Sequence, residues 1–161
     1  MSLQDVRLLH DQRAPMRDGI HLSADVYLPL SGGPHPTIYQ WTPYESTRER
    51  FVGWGVWFAQ RGYAAVVSDV RGRYESEGVF EAWSKDGVDA QDSLTWAAGE
   101  EWCNGRIGTW GRSYGGLVQW QLMHLGHPNL ECIAPQVIHD DYFWDGYFTG
   151  GAFQLALTLG A

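Results

Sequence analysis

The residues with the clearest capacity for chemistry are Gly111-Arg112-Ser113-Tyr114-Gly115. A serine hydroxyl is a poor nucleophile until a base can reach it and fixed donors can meet the oxyanion that develops on attack. A sharp turn from a strand into a helix provides both, and it crowds the backbone so closely that glycine is needed two residues before and two after the serine. Gly111 and Gly115 occupy those positions, and Gly116 leaves further room for helix packing. The chemistry implied is acyl transfer through Ser113. Alone, the pattern also fits a glycine-rich turn. Its flanks, Ile107 to Trp110 before and Leu117 to Trp120 after, supply the strand and helix that a nucleophile elbow requires. A phosphate-binding loop fits less well, because no Gly-Lys-Ser/Thr follows and no GxGxxG can be drawn.

An oxyanion needs two donors. The backbone N–H of Tyr114 is the first, at a helix start where the dipole favours negative charge. The second should come from the loop after the strand Pro36 to Trp41, where Thr42-Pro43-Tyr44 offers a phenol O–H. A tyrosine in such a loop also serves as a packing or surface residue. The histidines are His10, His21, His35, His124, His127 and His139. Only His139 is expected at the end of a strand next to the elbow strand, beside Asp140 and Asp141, which makes it the sole local candidate for a base.

Several elements must position these groups. Val6 to Leu9 and Ile20 to Leu28 flank an Asp18-Gly19 turn and read as antiparallel opening strands. The stretch from Arg48 to Arg61 has helical spacing, closed by Gly62. Tyr63 to Val70 is nearly all apolar, as a strand buried on both faces of a parallel sheet should be. A helix is expected from Gly87 to Gly99, capped by Asp86, with Val88, Leu94, Trp96 and Ala97 on one face. Arg106 to Trp110 is the strand into the elbow, Tyr114 to Leu125 the helix out of it, and Cys132 to Ile138 a final strand. The order β-β-β-α-β-α-β-α-β is that of an α/β layered sheet with helical crossovers.

The formal charge of −8, from 19 acidic against 11 basic residues, repels a polyanion and argues against a nucleic-acid partner. Met1 to Met16 holds no apolar run of signal or membrane-spanning length, so the expectation is a cytoplasmic protein with no membrane association. Cys103 and Cys132 lie far apart without partners at metal spacing. They read as two small buried thiols, and neither a disulfide, a metal nor a cofactor is expected.

Taken together, these residues resemble the cocaine esterase and Xaa-Pro dipeptidyl-peptidase (CocE/NonD) type of α/β-hydrolase, which also includes α-amino-acid ester hydrolases. The resemblance is carried by Met16-Arg17-Asp18-Gly19, Pro43-Tyr44, Asp69-Val70-Arg71-Gly72 with Ser76-Glu77-Gly78, and Asp86-Gly87 with Asp89 and Asp92. The elbow, Gln119-Trp120-Gln121, Ala134-Pro135 and Gly150-Gly151-Ala152-Phe153 complete it. The resemblance implies an α/β-hydrolase fold, cut before its last strands, with a catalytic part over residues 1–139 and the start of a helical lid over 140–161. It implies Ser113 as nucleophile, with Tyr44 and Tyr114 as oxyanion donors. Asp145 and Tyr147 would then face the acyl group of a small ester or short peptide, or else form an ordinary packing segment. The family's acid and histidine follow the lid, so both would lie outside this chain and the piece alone would be nearly inactive. Missing final strands would leave an apolar sheet edge uncovered, an aggregation hazard unless another chain covers it as in a homo-oligomer, and this favours a truncated chain over a small finished enzyme. The alternative is a non-catalytic α/β domain that binds a ligand or partner and retains the elbow as a fold element.

Overall fold

The computed structural model describes residues 6–139 and 141–155. The chain opens with β1 (Arg7–Pro15) and β2 (His21–Leu28), an antiparallel pair joined by the Asp18-Gly19 turn. β1 runs six residues past the expected Leu9, because its polar half finds partners on β2. His10 Nδ1 lies 2.6 Å from the buried Asp25 carboxylate, and Ser23 Oγ donates to Asp11 at 2.8 Å.

There follow β3 (His35–Thr42), α1 (Glu49–Ala59), β4 (Ala64–Asp69), α2 (Asp86–Gly99), β5 (Cys103–Arg112), α3 (Tyr114–Leu125) and β6 (Leu130–Gln136). This is the expected order. The sheet runs β1-β2-β4-β3-β5-β6, antiparallel through β2 and β4 and parallel from β4 to β6. β3 therefore sits centrally, with the chain turning to β4 on one side and β5 on the other. In such sheets the crevice at the carboxyl ends of strands flanking the reversal is where ligands bind.

β4 is buried on both faces, which explains its lack of alternation. Ala65 and Val67 pack under α1 with Tyr27, Phe51, Val56 and Ala59. Ala64 and Val66 point the other way, into the larger core with Tyr39, Trp41, Leu94, Ile107, Val118 and Leu122 beneath α2 and α3. On α2 the buried stripe is Asp86, Gly87, Asp89, Ala90, Ser93, Leu94 and Ala97. Val88 lies beside that stripe and not on it, and Trp96 is only half-buried. β6 is an edge strand, so Cys132 is exposed, contrary to expectation, while Cys103 is buried. Beyond β6 the chain forms a π-helical turn (Tyr142–Tyr147) and a small hairpin of β7 (Phe148–Thr149) and β8 (Ala152–Phe153). Asp140 and residues 156–161 of the anticipated lid fall outside the described residues.

Candidate active site

Ser113 lies between the end of β5 and the start of α3 with φ +55° and ψ −122°. This left-handed backbone is strained for any residue with a Cβ, and it turns the side chain outward. Its N–H donates to Gln136 O at 2.9 Å, while its carbonyl accepts from Gly116 N at 2.9 Å and Leu117 N at 3.1 Å. The hydroxyl is exposed, and among the described residues it has no hydrogen-bond partner. The elbow glycines answer to close approaches. A Cβ on Gly115 would come within 2.7 Å of Trp41 O, and one on Gly116 within 2.5 Å of Ile138 Cγ2.

Gln119, fully buried one turn into α3, staples the elbow from inside. Its Nε2 donates to Gly115 O at 2.8 Å and to Gly111 O at 3.3 Å. Its Oε1 accepts from Thr109 Oγ1 and from Ala134 N, both at 3.0 Å, tying β5, the elbow and β6 together.

As the first helical residue, Tyr114 has an N–H with no acceptor inside the helix, which leaves it free for an oxyanion. Its phenol is buried and donates to Asp86 Oδ2 at 2.8 Å. Burial, and then the Asp86 carboxylate, push the phenol's pKa upward, so it remains a neutral donor. Asp86 is not the expected side-chain cap of α2: Lys85 holds the N-cap position, and the Asp86 carboxylate is engaged by Tyr114 instead.

Tyr44 lies on the loop after β3, held at three points. Its own N–H donates to Thr42 Oγ1 at 3.0 Å, and Arg73 Nε donates to Pro43 O at 3.1 Å. Asp69, at the end of β4 opposite Thr42, accepts from Ser46 N at 2.8 Å and Ser46 Oγ at 3.0 Å. The Tyr44 ring sits beneath the Arg50 guanidinium, 5.2 Å away. Tyr44, Ser113 and Gly115 share one groove of about 980 Å³, walled by Trp54, Phe58 and Trp110. The fold thus brings the three sequence-predicted catalytic residues to one end of the sheet.

Asp145 is exposed, and the half-buried Tyr147 rests 5.8 Å from the Trp83 ring. Neither lines the groove, nor does His139. In the sequence Asp69 and Gln119 had no assigned role of their own, and Asp86 was read only as a helix cap. Gln119 alone carried a local signal, a polar residue four positions after Gly115 on the same helix face.

Asp69 and Asp86 are nearly inaccessible, and burial pushes the pKa of each to about 6. In the unfolded chain they titrate near 3.8. The folded state therefore holds their protons more tightly, and the stability they contribute is fully present below the unfolded value and lost as pH rises through about 6. His127, whose pKa is lowered by burial, acts in the opposite sense over the same range. Asp69→Asn and Asp86→Asn should each reduce whatever gain in urea midpoint the wild type shows between pH 7.5 and pH 5, by on the order of 1–3 kcal/mol when converted to free energy. A pH dependence unchanged in both variants would contradict this.

A profile of the X-Pro dipeptidyl-peptidase (S15) family matches residues 18–161. Over 154 residues the chain is 37% identical to cocaine esterase of Rhodococcus sp. (strain MB1 Bresler), covering 91% of this chain and 26% of that protein. The crystal structure of an aminopeptidase from a marine-sediment Thaumarchaeota archaeon superposes with a TM-score of 0.80 at 25% identity, over 98% of this chain and 30% of that one. A CocE/NonD-family hydrolase from Staphylococcus aureus superposes with a TM-score of 0.73 at 26% identity, over 80% and 27% of the two chains. The chain spans about a quarter of the length of the curated relatives it matches.

Proposed function

Because the chain belongs to the X-Pro dipeptidyl-peptidase (S15) family of α/β-hydrolases, we propose that the whole protein is a serine hydrolase of small carboxylic esters or amides, acting through an acyl-enzyme on Ser113. The observation that carries this reading is the strained Ser113 elbow opening onto the same groove as Tyr44. Ser113 Oγ attacks the acyl carbon and loses its proton to a base as the carbonyl oxygen becomes an oxyanion. The oxyanion accepts from the Tyr114 N–H and the Tyr44 O–H. Collapse expels the leaving alkoxide or amine with the proton returned to it, and water then releases the acid and free serine. The base and its supporting acid are assigned to the region that relatives carry beyond the span matched here. The reading also takes residues 1–139 as the catalytic part and 140–161 as the start of a lid.

Ester and peptide substrates make different demands. An exopeptidase must pair the free α-amino group of its substrate with a carboxylate. Among the described residues lining the groove, Arg48, Arg50 and Arg112 are cationic and none is acidic. This favours the ester reading. In the peptidase alternative, Asp145 would supply the carboxylate and Tyr147 an aromatic wall. Rates on aryl esters against Ala-Pro anilides separate the two.

Among the described residues no helix is long and apolar enough to cross a membrane. A cytoplasmic address and assembly as a homo-oligomer belong to the same proposal.

A fluorophosphonate probe tests the reading. The protein carrying its downstream region should be labelled, and Ser113→Ala should not. Equal labelling of both would remove Ser113 as the nucleophile, and labelling of neither would favour a non-catalytic binding domain.

A further inference from the structure

We propose, on the basis of the hydrolase reading above, that Asp86 is a positioning residue for the oxyanion hole: by holding the Tyr114 hydroxyl it fixes the backbone N–H of the same residue. The carboxylate meets the phenol at 2.8 Å, and the phenol oxygen in turn accepts from Trp83 N at 3.2 Å. Asp86 and Tyr114 are 7% and 8% exposed, so water competes little for this bond. Phe80 and Trp83 flank the Tyr114 ring, with centroids 6.1 and 6.4 Å away.

The anchor is itself fixed. Gly87 N donates to Gln121 Oε1 at 2.9 Å and Gln121 Nε2 to Trp83 O at 3.1 Å, locking the start of α2 onto α3. The neighbouring cation is already committed, since Arg71 pairs with Asp89 at 2.6 and 2.8 Å and with Asp18 at 2.9 Å. Among the described residues no cation pairs with Asp86, and the Tyr114 phenol is its side-chain partner. Ser113 adopts a strained backbone, and while Gln119 holds the elbow from within α3, Asp86 holds the residue after the serine from outside that helix. A phenol pinned at its far end acts as a lever on the Cα and N–H. Misplacing such a donor by a fraction of an ångström weakens its bond to the oxyanion, whereas ground-state binding of the substrate elsewhere in the groove is untouched.

An acidic residue in the first turn of α2 also favours that helix through its dipole, a purely structural role. The two roles separate in the whole protein assayed on an aryl ester. Asp86→Ala and Tyr114→Phe should each lower kcat by about 10- to 100-fold with KM nearly unchanged, and the double variant should be no worse than the poorer single. Asp86→Asn, which keeps an acceptor for the phenol, should stay within about threefold of wild type. Thermal unfolding establishes that each variant is folded; Tyr114→Phe leaves α2 and its acidic start intact and carries the test if Asp86→Ala does not fold. Wild-type kcat in Tyr114→Phe, or losses that multiply in the double variant, would overturn the role of Asp86 and leave the hydrolase reading standing. Activity that survives Ser113→Ala would overturn both.

Discussion

Ser113→Ala should lower kcat of the whole protein by about 10⁴- to 10⁶-fold on an aryl ester, with KM little changed. On the proposed mechanism the size follows from the loss of the group that forms the acyl-enzyme, while both proposed oxyanion donors remain. A residual acceleration of roughly 10³–10⁴ over water is what those donors and binding alone retain. The fold is not at issue, because the hydroxyl is exposed and makes no hydrogen bond among the described residues. Alanine has the same Cβ and tolerates the same φ of +55° no worse than serine does. Steady-state kinetics with an unfolding curve for each protein make the measurement. A kcat within tenfold of wild type would mean that another nucleophile does the work.

The second large effect is expected at Tyr44. Tyr44→Phe should cost about 10²- to 10³-fold in kcat at constant KM, the usual consequence of deleting one oxyanion donor. Its loop is held through the backbone and through neighbours, by Thr42, by Arg73 on Pro43 and by Asp69 on Ser46, so deleting the phenolic oxygen leaves the loop in place. The ring also keeps its contact with Arg50. A trifluoromethyl ketone, whose oxygen occupies the oxyanion position in the covalent adduct, should bind the variant more weakly by a comparable factor. An unchanged kcat would take Tyr44 out of the site and leave the Tyr114 N–H in need of another companion.

How far these features were legible depended on the range over which each is determined. The elbow was legible because its constraint is local. Glycine spacing, the strand before and the helix after are written within about ten residues, and α3 begins and ends where the pattern places it. The order of strands and helices was equally visible in the hydrophobic runs. β1 was misread as ending at Leu9, because its polar second half is stabilised by Asp25 and Ser23, more than ten residues away. Asp86 looked like a helix cap for the same reason: its partner, Tyr114, is 28 positions downstream and becomes a neighbour only when α2 packs on α3. Cys132 was assigned to the core from its residue type, whereas its exposure depends on being in the last strand of the sheet. Asp69 was noted only as part of a resembling segment, because a single acid at a strand end carries no pattern of its own until Ser46 is folded against it.

The backbone angle at Ser113 has one further consequence. Held at φ +55° and ψ −122°, a conformation natural to glycine, the serine lowers the stability of the fold that displays it. Ser113→Gly should therefore raise the unfolding free energy by about 1 kcal/mol, after allowing for the greater freedom of glycine in the unfolded chain. A library of variants screened for heat resistance alone would be expected to enrich proteins that have lost the nucleophile, so any attempt to harden this protein needs turnover as a simultaneous criterion.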